Sequence, residues 1–181
     1  MDVCAADLSA WRRELLLGLR EDAGEPESDA AAATAFSGRV EVLAFRLGAE
    51  KYAVELRDVL EILMPRNLAP VPRAGDVVKG VASVRGAVLA VLDLARRLGF
   101  EPAQPTKTAR ILVLRDGDEQ LGFWVDEVHG VVRFVEDQME VSGFAAAVDP
   151  RFVRGIGYDR SGALVAVLSA EQLCEFSVEE G

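Results

Sequence analysis

The chain has 181 residues, of which half are apolar, and a formal net charge of −10 at pH 7. This length predicts one domain or one compact pair of subdomains, with enough apolar residues to bury a core. The negative charge argues against nucleic acid and against an anionic membrane surface as partners. No apolar run approaches the length of a membrane span, so we expect no direct membrane insertion.

The N-terminus and the cysteines indicate the compartment. The opening residues MDVCAADLSAW lack the basic region and the long apolar region of a signal peptide. Cys4 and Cys174 lie near opposite ends of the chain and have no metal-ligand spacing. We therefore expect a cytoplasmic protein with free thiols.

Residues 1–38 are predicted to form an N-terminal arm. A helix over residues 7–21, with Asp7 as its N-cap, places four apolar residues on one face: Leu8, Trp11, Leu15 and Leu19. Residues 23–38 (AGEPESDAAAATAFSG) have no apolar period and predict a flexible acidic tether. A helix this short is marginal alone, so we expect its apolar face to dock, with Trp11 as the anchor. Docking on its own domain and docking on a further partner are both open.

Short strands are predicted from residue 40 onwards. Val40–Leu47 alternates apolar and polar residues in part, and Tyr52–Leu56 returns after a turn. Arg57–Leu63 opens as a helical turn and continues in extended conformation up to Met64-Pro65, because proline continues neither element. After the hairpin described next, Asp93–Leu98 predicts a short helix that Gly99 stops.

The most distinctive stretch is KGVASVRGAVLAVLDL, residues 79–94. It predicts two strands, Val81–Val84 and Ala87–Leu92, with Arg85-Gly86 at the turn between them. Gly80 indicates a backbone conformation that a Cβ would disfavour. Arg85 is the one permanent charge between two apolar strands, and near a core it would need a partner. A solvent-exposed hairpin arginine is the alternative.

The strand pattern restarts after a proline-containing connector. Arg110–Arg115 and Gln120–Val125 flank an Asp116-Gly117 turn, and Val128–Val135 follows with a bend at Gly130. A last hairpin and a helix capped by Ser169 close the chain. Many short strands and glycine-rich turns predict a mainly β protein, a barrel or a sandwich. The halves 40–100 and 108–176 suggest two small barrels, each closed by a short helix.

Several motifs occur in one order along the chain. VLEI at residues 59–62 and PVP at 70–72 precede GVASVRG and VLDL, and GFWVDEV at 122–128 and GIG at 155–157 follow. This ordered set resembles the CheW family, the coupling proteins of bacterial chemotaxis, over about Val40 to Phe176. Ser83 stands where that family commonly has Asn, and Ser169 where it often has Asp.

The resemblance implies a fold and a role. The fold would be two five-stranded SH3-like β-barrels side by side, within a domain over residues 39–176, followed by a tail at 177–181. The role would be a non-enzymatic scaffold without cofactors, associated with membrane-bound receptor arrays. Its implied partners are the regulatory domain of a CheA-type histidine kinase and the cytoplasmic hairpin tip of a chemoreceptor. An accessory adaptor in a non-flagellar pathway, such as gliding, pili or development, is the main alternative.

The resemblance also implies two surfaces on this chain. The receptor groove would contain five apolar residues: Leu43, Leu56, Val59, Ile62 and Val128. The kinase-facing end would lie around Gly80, Val81 and Arg85, with Glu61 as the ionic partner of Arg85. We expect Leu43, Val59 and Val128 to line an exposed groove, although ordinary core positions are the alternative for all five groove residues.

Enzymatic sites have no clear signal in this sequence. His129 is the only histidine, so the ligand sets and triads that need more partners are disfavoured. Asp126 and Glu127 are neighbours on a predicted strand and would point to opposite faces, so they are no acid/base pair. We expect neither a catalytic residue nor a metal site. A generic SH3-like peptide-binding module is a remote alternative.

Overall fold

The computed structural model describes residues 38–102, 105–135, 139, 148–159 and 161–175. In this part of the chain ten strands occur in the following order: β1 Arg39–Leu47, β2 Glu50–Glu55, β3 Val59–Leu63, β4 Val78–Val84, β5 Ala87–Asp93, β6 Arg110–Asp116, β7 Glu119–Val125, β8 Glu127–Val135, β9 Val153–Tyr158 and β10 Leu164–Leu168. Two short α-helices are α1 (Leu94–Arg97) and α2 (Ala170–Cys174). Single 3-10 turns lie at Leu56–Asp58 and Pro150–Phe152. The predicted arm, with Leu8, Trp11, Leu15 and Leu19, and the tail at 177–181 lie outside the described residues.

The strands form two five-stranded sheets. The first sheet has the order β8-β1-β2-β10-β9, and the second has the order β3-β6-β7-β5-β4. The predicted division into halves at about residue 100 is therefore wrong. The contiguous middle of the chain makes the second sheet, while the first sheet joins its beginning to its end. The reason is long-range pairing: β1 pairs antiparallel with β8, and β2 pairs in parallel with β10.

The central strands are apolar on both faces because each sheet has a core on either side. Leu112 on β6 packs in the core shared by the two sheets, whereas its neighbour Val113 packs in a second cluster within its own sheet. Ala166 and Val167 on β10 divide in the same way between the shared core and a cluster within the first sheet. Side chains alternate along a strand, so a strand between two cores needs a continuous apolar run.

Side-chain contacts bring the two edges of each sheet close together. In the first sheet, a Cβ added to Gly157 on β9 would lie 2.7 Å from the ring of Phe134 on β8. In the second sheet, Arg85 at the end of β4 contacts Glu61 on β3. No backbone ladder joins these edge strands among the described residues. Five strands per sheet are confirmed, and closed SH3-like barrels stay a prediction.

Several local predictions are confirmed by hydrogen bonds. The helix predicted over Asp93–Leu98 is α1, and Asp93 is its N-cap, because the Asp93 carboxylate accepts from the backbone N–H of Arg96 at 3.2 Å. The Ser169 hydroxyl accepts from the backbone N–H of Gln172 at 3.4 Å and caps α2. The bend predicted at Gly130 is a register shift between β8 and β1. No helix in the described part of the chain is long and apolar enough to cross a membrane.

Candidate functional site

The β4–β5 hairpin ends in a two-residue turn whose backbone is left-handed throughout. Arg85 has φ +50° and Gly86 has φ +84°, between the paired residues Val84 and Ala87. Two positive φ angles are typical of the hairpin turns that follow the twist of the strands. Glycine adopts this conformation freely, whereas an arginine there costs about 1 kcal/mol. The turn thus places the Arg85 side chain at the hairpin tip in spite of this conformational cost.

Glu61 on β3 accepts a hydrogen bond from Arg85 across the two edges of the second sheet. The guanidinium Nη2 lies 3.1 Å from Glu61 Oε1, which confirms the predicted pair. The two ends differ in exposure, since the Arg85 side chain is 66% exposed and that of Glu61 is 10% exposed. A buried carboxylate needs such a donor, and a guanidinium keeps further N–H groups free for other acceptors.

Gly80 lies on β4 of this hairpin and is buried, where it allows another segment of backbone to approach closely. Its φ is +148°, and a Cβ there would lie 2.6 Å from the carbonyl oxygen of Ala69. This close approach lets Ala69 exchange two backbone hydrogen bonds of 2.9 Å with Val81. Gly80 is buried and Val81 is partly exposed, so of the two only Val81 offers a side chain to a partner.

The predicted exposure of Leu43 and Val59 is wrong. Leu43, Val59 and Ile62 are at most 4% exposed and belong to the core shared by the two sheets. They face inwards because the alternation along β1 and β3 directs these positions towards the opposite sheet. A glutamate at position 59 would therefore unfold the domain rather than test binding. Leu56 and Val128 pack against the same core but are partly exposed.

Two features escaped the sequence-based prediction. Val88, beside the Arg85 turn, is 76% exposed and gives the hairpin tip an apolar surface. Glu55 at the end of β2 is buried and contacts Arg154 of β9, and its Oε2 lies 2.7 Å from Arg57 Nε. A glutamate inside the apolar run YAVEL was the available signal for this second buried carboxylate.

The strongest pKa shifts lie away from the hairpin, in the first sheet. A hydrogen bond from Lys51 holds the pKa of Asp159 well below its usual range, and Ser161 adds to this effect. Burial raises the pKa of Tyr52, and its hydrogen bond to Glu50 raises it further. Among the described residues no group of three or more His, Cys, Asp or Glu side chains lies close enough to hold a metal ion.

Two packed five-stranded sheets, one of which presents an ion-paired hairpin, define a two-sheet β domain. The family model of the CheW-like domain matches residues 41–177, and the chain belongs to that family. By family membership the chain is therefore a CheW-type adaptor of chemotaxis.

Known relatives support this assignment. "Chemotaxis protein CheW" of Helicobacter pylori is 28% identical over 156 residues, which cover 84% of this chain and 94% of that protein. "Protein PilI" of Pseudomonas aeruginosa is 34% identical over 116 residues, which cover 63% of this chain and 65% of that protein. The crystal structure of the scaffolding protein TtCheW from Thermoanaerobacter tengcongensis superposes with a TM-score of 0.72 and covers 86% of this chain and 97% of its own. At 22% identity this likeness concerns the fold alone.

Proposed function

We propose that this chain couples a chemoreceptor to a CheA-type histidine kinase on the cytoplasmic side of a receptor array. The observation that carries the proposal is the contact between exposed Arg85 and buried Glu61. Membership of the CheW family supplies the two classes of partner. The ion pair supplies a physical link between the surfaces that these partners would use.

The kinase would bind the tip of the β4–β5 hairpin. Val88 offers a large exposed apolar side chain there, and Arg85 offers guanidinium N–H groups that Glu61 does not occupy. An apolar contact beside a directional cation is a common composition for a specific interface, since the first supplies binding energy and the second fixes register. Val81 lies on the same hairpin and extends this surface.

The receptor would bind near Leu56 and Val128. Both side chains are partly exposed while they pack against the shared core, so a partner can cover their remaining apolar surface. A helical hairpin tip that carries an apolar stripe fits such a surface. Leu43, Val59 and Ile62 support these two residues from beneath instead of contacting the receptor themselves.

Strand β3 connects the two proposed surfaces. Leu56 begins the 3-10 turn that leads directly into β3, and Glu61 lies on that strand five residues later. A partner that moves Arg85 therefore acts on Glu61, and through β3 on the segment that holds Leu56. The ion pair need not stabilise the fold for this purpose, because the desolvation of a buried carboxylate offsets much of the attraction.

The test is a reconstituted assay of kinase activity with receptor, kinase and this protein. We expect Arg85→Ala and Glu61→Ala each to reduce kinase activation by about tenfold, a change of about 1.4 kcal/mol in coupling, while each binding step weakens less. The double variant should be no worse than the worse single variant, because the two residues form one contact. The pair Arg133→Ala and Glu41→Ala is the matched control, since these residues form an exposed ion pair of 2.9 Å on the first sheet.

Strictly additive losses from Arg85→Ala and Glu61→Ala would contradict the coupling role. Unchanged kinase activation in both variants would contradict the proposed site itself. For the receptor surface, Leu56→Glu should abolish receptor binding, whereas Leu164→Glu, at an exposed residue of β10, should leave it intact.

A non-flagellar chemosensory pathway is the second candidate function. The match to "Protein PilI" favours it, because that relative is more identical over its aligned region than the CheW of Helicobacter pylori. The scaffold role and the two surfaces would be the same, and only the receptor and kinase would differ. Isolation of the natural partners with the tagged full chain, followed by their identification, would decide between the two pathways.

A further inference from the structure

A cleft of 340 Å³ opens in the first sheet, beside the beginning of β1. The 3-10 turn after β2 and the beginning of β9 complete its walls. Three of its lining residues are arginines, and they accompany two glutamates and two apolar residues: Arg39, Val40, Glu41, Glu55, Leu56, Arg57 and Arg154. Three arginines against two glutamates give this lining a net charge of +1, on a chain whose net charge is −10.

The two glutamates do not saturate the arginines of this cleft. Glu41 forms its ion pair with Arg133, which does not line the cleft. Buried Glu55 contacts both Arg154 and Arg57, but each guanidinium has five N–H donors and two carboxylate oxygens cannot use ten. Arg39 forms no salt bridge among the described residues. The cleft therefore presents arginine donors that suit a further carboxylate.

The N-terminal arm enters the folded region at this cleft. Gly38 directly precedes Arg39, which is both the first residue of β1 and a lining residue. Residues 1–38 contain eight acidic residues against three arginines. Five of these acids are concentrated in the stretch nearest to the cleft along the chain: Glu21, Asp22, Glu25, Glu27 and Asp29.

The length of the intervening chain permits contact. Nine residues lie between Asp29 and Arg39, and a fully extended chain of that length reaches at most about 35 Å. Tethering over such a distance gives an effective concentration in the range of about 1 mM or more. An acidic segment on another protein would need a comparable free concentration to compete equally.

We propose that the acidic stretch of residues 21–29 docks in the cleft of Arg39, Arg57 and Arg154. Its carboxylates bind guanidinium N–H groups that Glu55 leaves free, and the tether supplies most of the effective affinity. In this proposal the acidic side chains of the arm bind its own domain. This binding does not require the apolar face of the predicted helix.

Docking at this place has a consequence for the receptor, and that consequence rests on the proposed function. Leu56 lines the arginine cleft and also belongs to the proposed receptor surface. A docked arm covers part of that surface, so a receptor must displace it. The arm then lowers receptor affinity by the fraction of molecules in which the cleft is occupied.

The docking itself is tested on the full chain without any partner, by nuclear magnetic resonance of backbone amides and arginine Nε–H groups. The test variant is Glu25→Gln, Glu27→Gln, Asp29→Asn, and the matched control is Asp2→Asn, Asp7→Asn, Glu14→Gln, which removes the same charge farther from the cleft. We expect the test variant to shift the resonances of Arg39, Arg57 and Arg154. Wild type should approach the same positions in about 0.5 M salt, where the Debye length falls to about 4 Å.

Equal shifts in the two triple variants would overturn the proposal, because they would reflect net charge rather than docking. No shift in either variant would also overturn it and would leave the cleft to an acidic segment of a partner. If the docking is observed, receptor affinity of the test variant should rise about threefold over wild type. A docked arm with unchanged receptor affinity would reject the location of the receptor surface while the docking stands.

Discussion

The two sheets each bury a glutamate against an arginine from a distant strand, but they do so with different redundancy. In the first sheet, Glu55 contacts Arg154 from β9 and also Arg57, only two residues away. In the second sheet, Glu61 has its ion pair with Arg85 at a hairpin tip. Both glutamate side chains are at most 10% exposed, so each depends on its cations.

This difference separates a structural contact from one that is suited to transmit a signal. If Arg154 is displaced, Glu55 keeps a charged partner, and the first sheet is little disturbed. If a binding partner draws Arg85 away, Glu61 loses its ion pair with Arg85 and β3 must respond. A scaffold that has to respond to its partners benefits from the non-redundant contact, and its fold benefits from the redundant one.

The largest effect that distinguishes the sheets should come from the glycines at their edges. Gly80→Ala places a Cβ 2.6 Å from a backbone oxygen at a positive φ, whereas Gly157→Ala meets the ring of Phe134 at 2.7 Å. A backbone atom has less freedom to move than a ring, so we expect losses of about 3 kcal/mol and about 1.5 kcal/mol in the free energy of unfolding.

Urea denaturation measures both glycine variants, with Gly75→Ala as the control because no heavy atom beyond its chain neighbours lies within 4 Å of its added Cβ. The control should stay within about 0.5 kcal/mol of wild type. If Gly157→Ala lowers the free energy of unfolding more than Gly80→Ala does, the contact of Gly157 with Phe134 is more rigid than the contact of Gly80 with Ala69.

A smaller effect should follow from removal of the two distant arginines. Arg85→Ala leaves Glu61 without its ion pair, and we expect a loss of about 1.5 kcal/mol in unfolding free energy. Arg154→Ala leaves Glu55 with Arg57, so we expect only about 0.5 kcal/mol. The combination Arg57→Ala, Arg154→Ala should cost clearly more than the sum of its single variants, because only then is Glu55 left alone.

Thermal and urea unfolding of the four arginine variants provide this comparison. Equal losses for Arg85→Ala and Arg154→Ala would remove the distinction between redundant and non-redundant contacts. Additive losses for Arg57→Ala and Arg154→Ala would show that each arginine supports Glu55 independently.

The sequence predicted the strands and the Arg85–Glu61 pair but not the arrangement of the sheets. Turn residues placed the hairpin ends of β4 and β5 correctly, because a two-residue turn at Arg85-Gly86 is a local signal, but β4 begins three residues before the predicted Val81. The pairing of β1 with β8 is long-range, and nothing local in Val40–Leu47 indicates it. For this reason a division into consecutive halves was plausible and wrong.

The groove residues show a second limit of sequence reasoning. A family resemblance marks Leu43, Val59 and Val128 alike, whereas burial separates the first two from the third. The exposure of these side chains depends on packing between the sheets. Each sheet covers Leu43 on β1 or Val59 on β3 of the other sheet, but part of Val128 stays uncovered. Glu55 was missed for the converse reason, since its partner Arg154 lies 99 residues away and no motif joins them.

A third effect concerns the β9–β10 hairpin of the first sheet, whose turn combines the left-handed Gly162, at φ +79°, with hydrogen bonds to one carboxylate. Asp159 accepts hydrogen bonds from the backbone N–H groups of Ser161 and Ala163 at 2.8 and 3.0 Å, and from Lys51 Nζ at 2.7 Å. Asp159→Asn weakens the hydrogen bond from Lys51, and we expect the free energy of unfolding to fall by about 1 kcal/mol at pH 7.

The loss caused by Asp159→Asn should depend on pH in a defined direction. The hydrogen bond from Lys51 lowers the pKa of Asp159 in the folded state, so the unfolded state binds its proton more readily. The stabilisation is therefore complete above the unfolded pKa of about 3.9 and is lost as the pH falls through the folded pKa. Urea titrations at pH 7 and at about pH 2 should show the difference between wild type and Asp159→Asn shrinking. Lys51→Met should reduce the same acid dependence, because it removes the main cause of the shift. A difference that stays constant over this range would show that the turn needs the shape of Asp159 and not its charge.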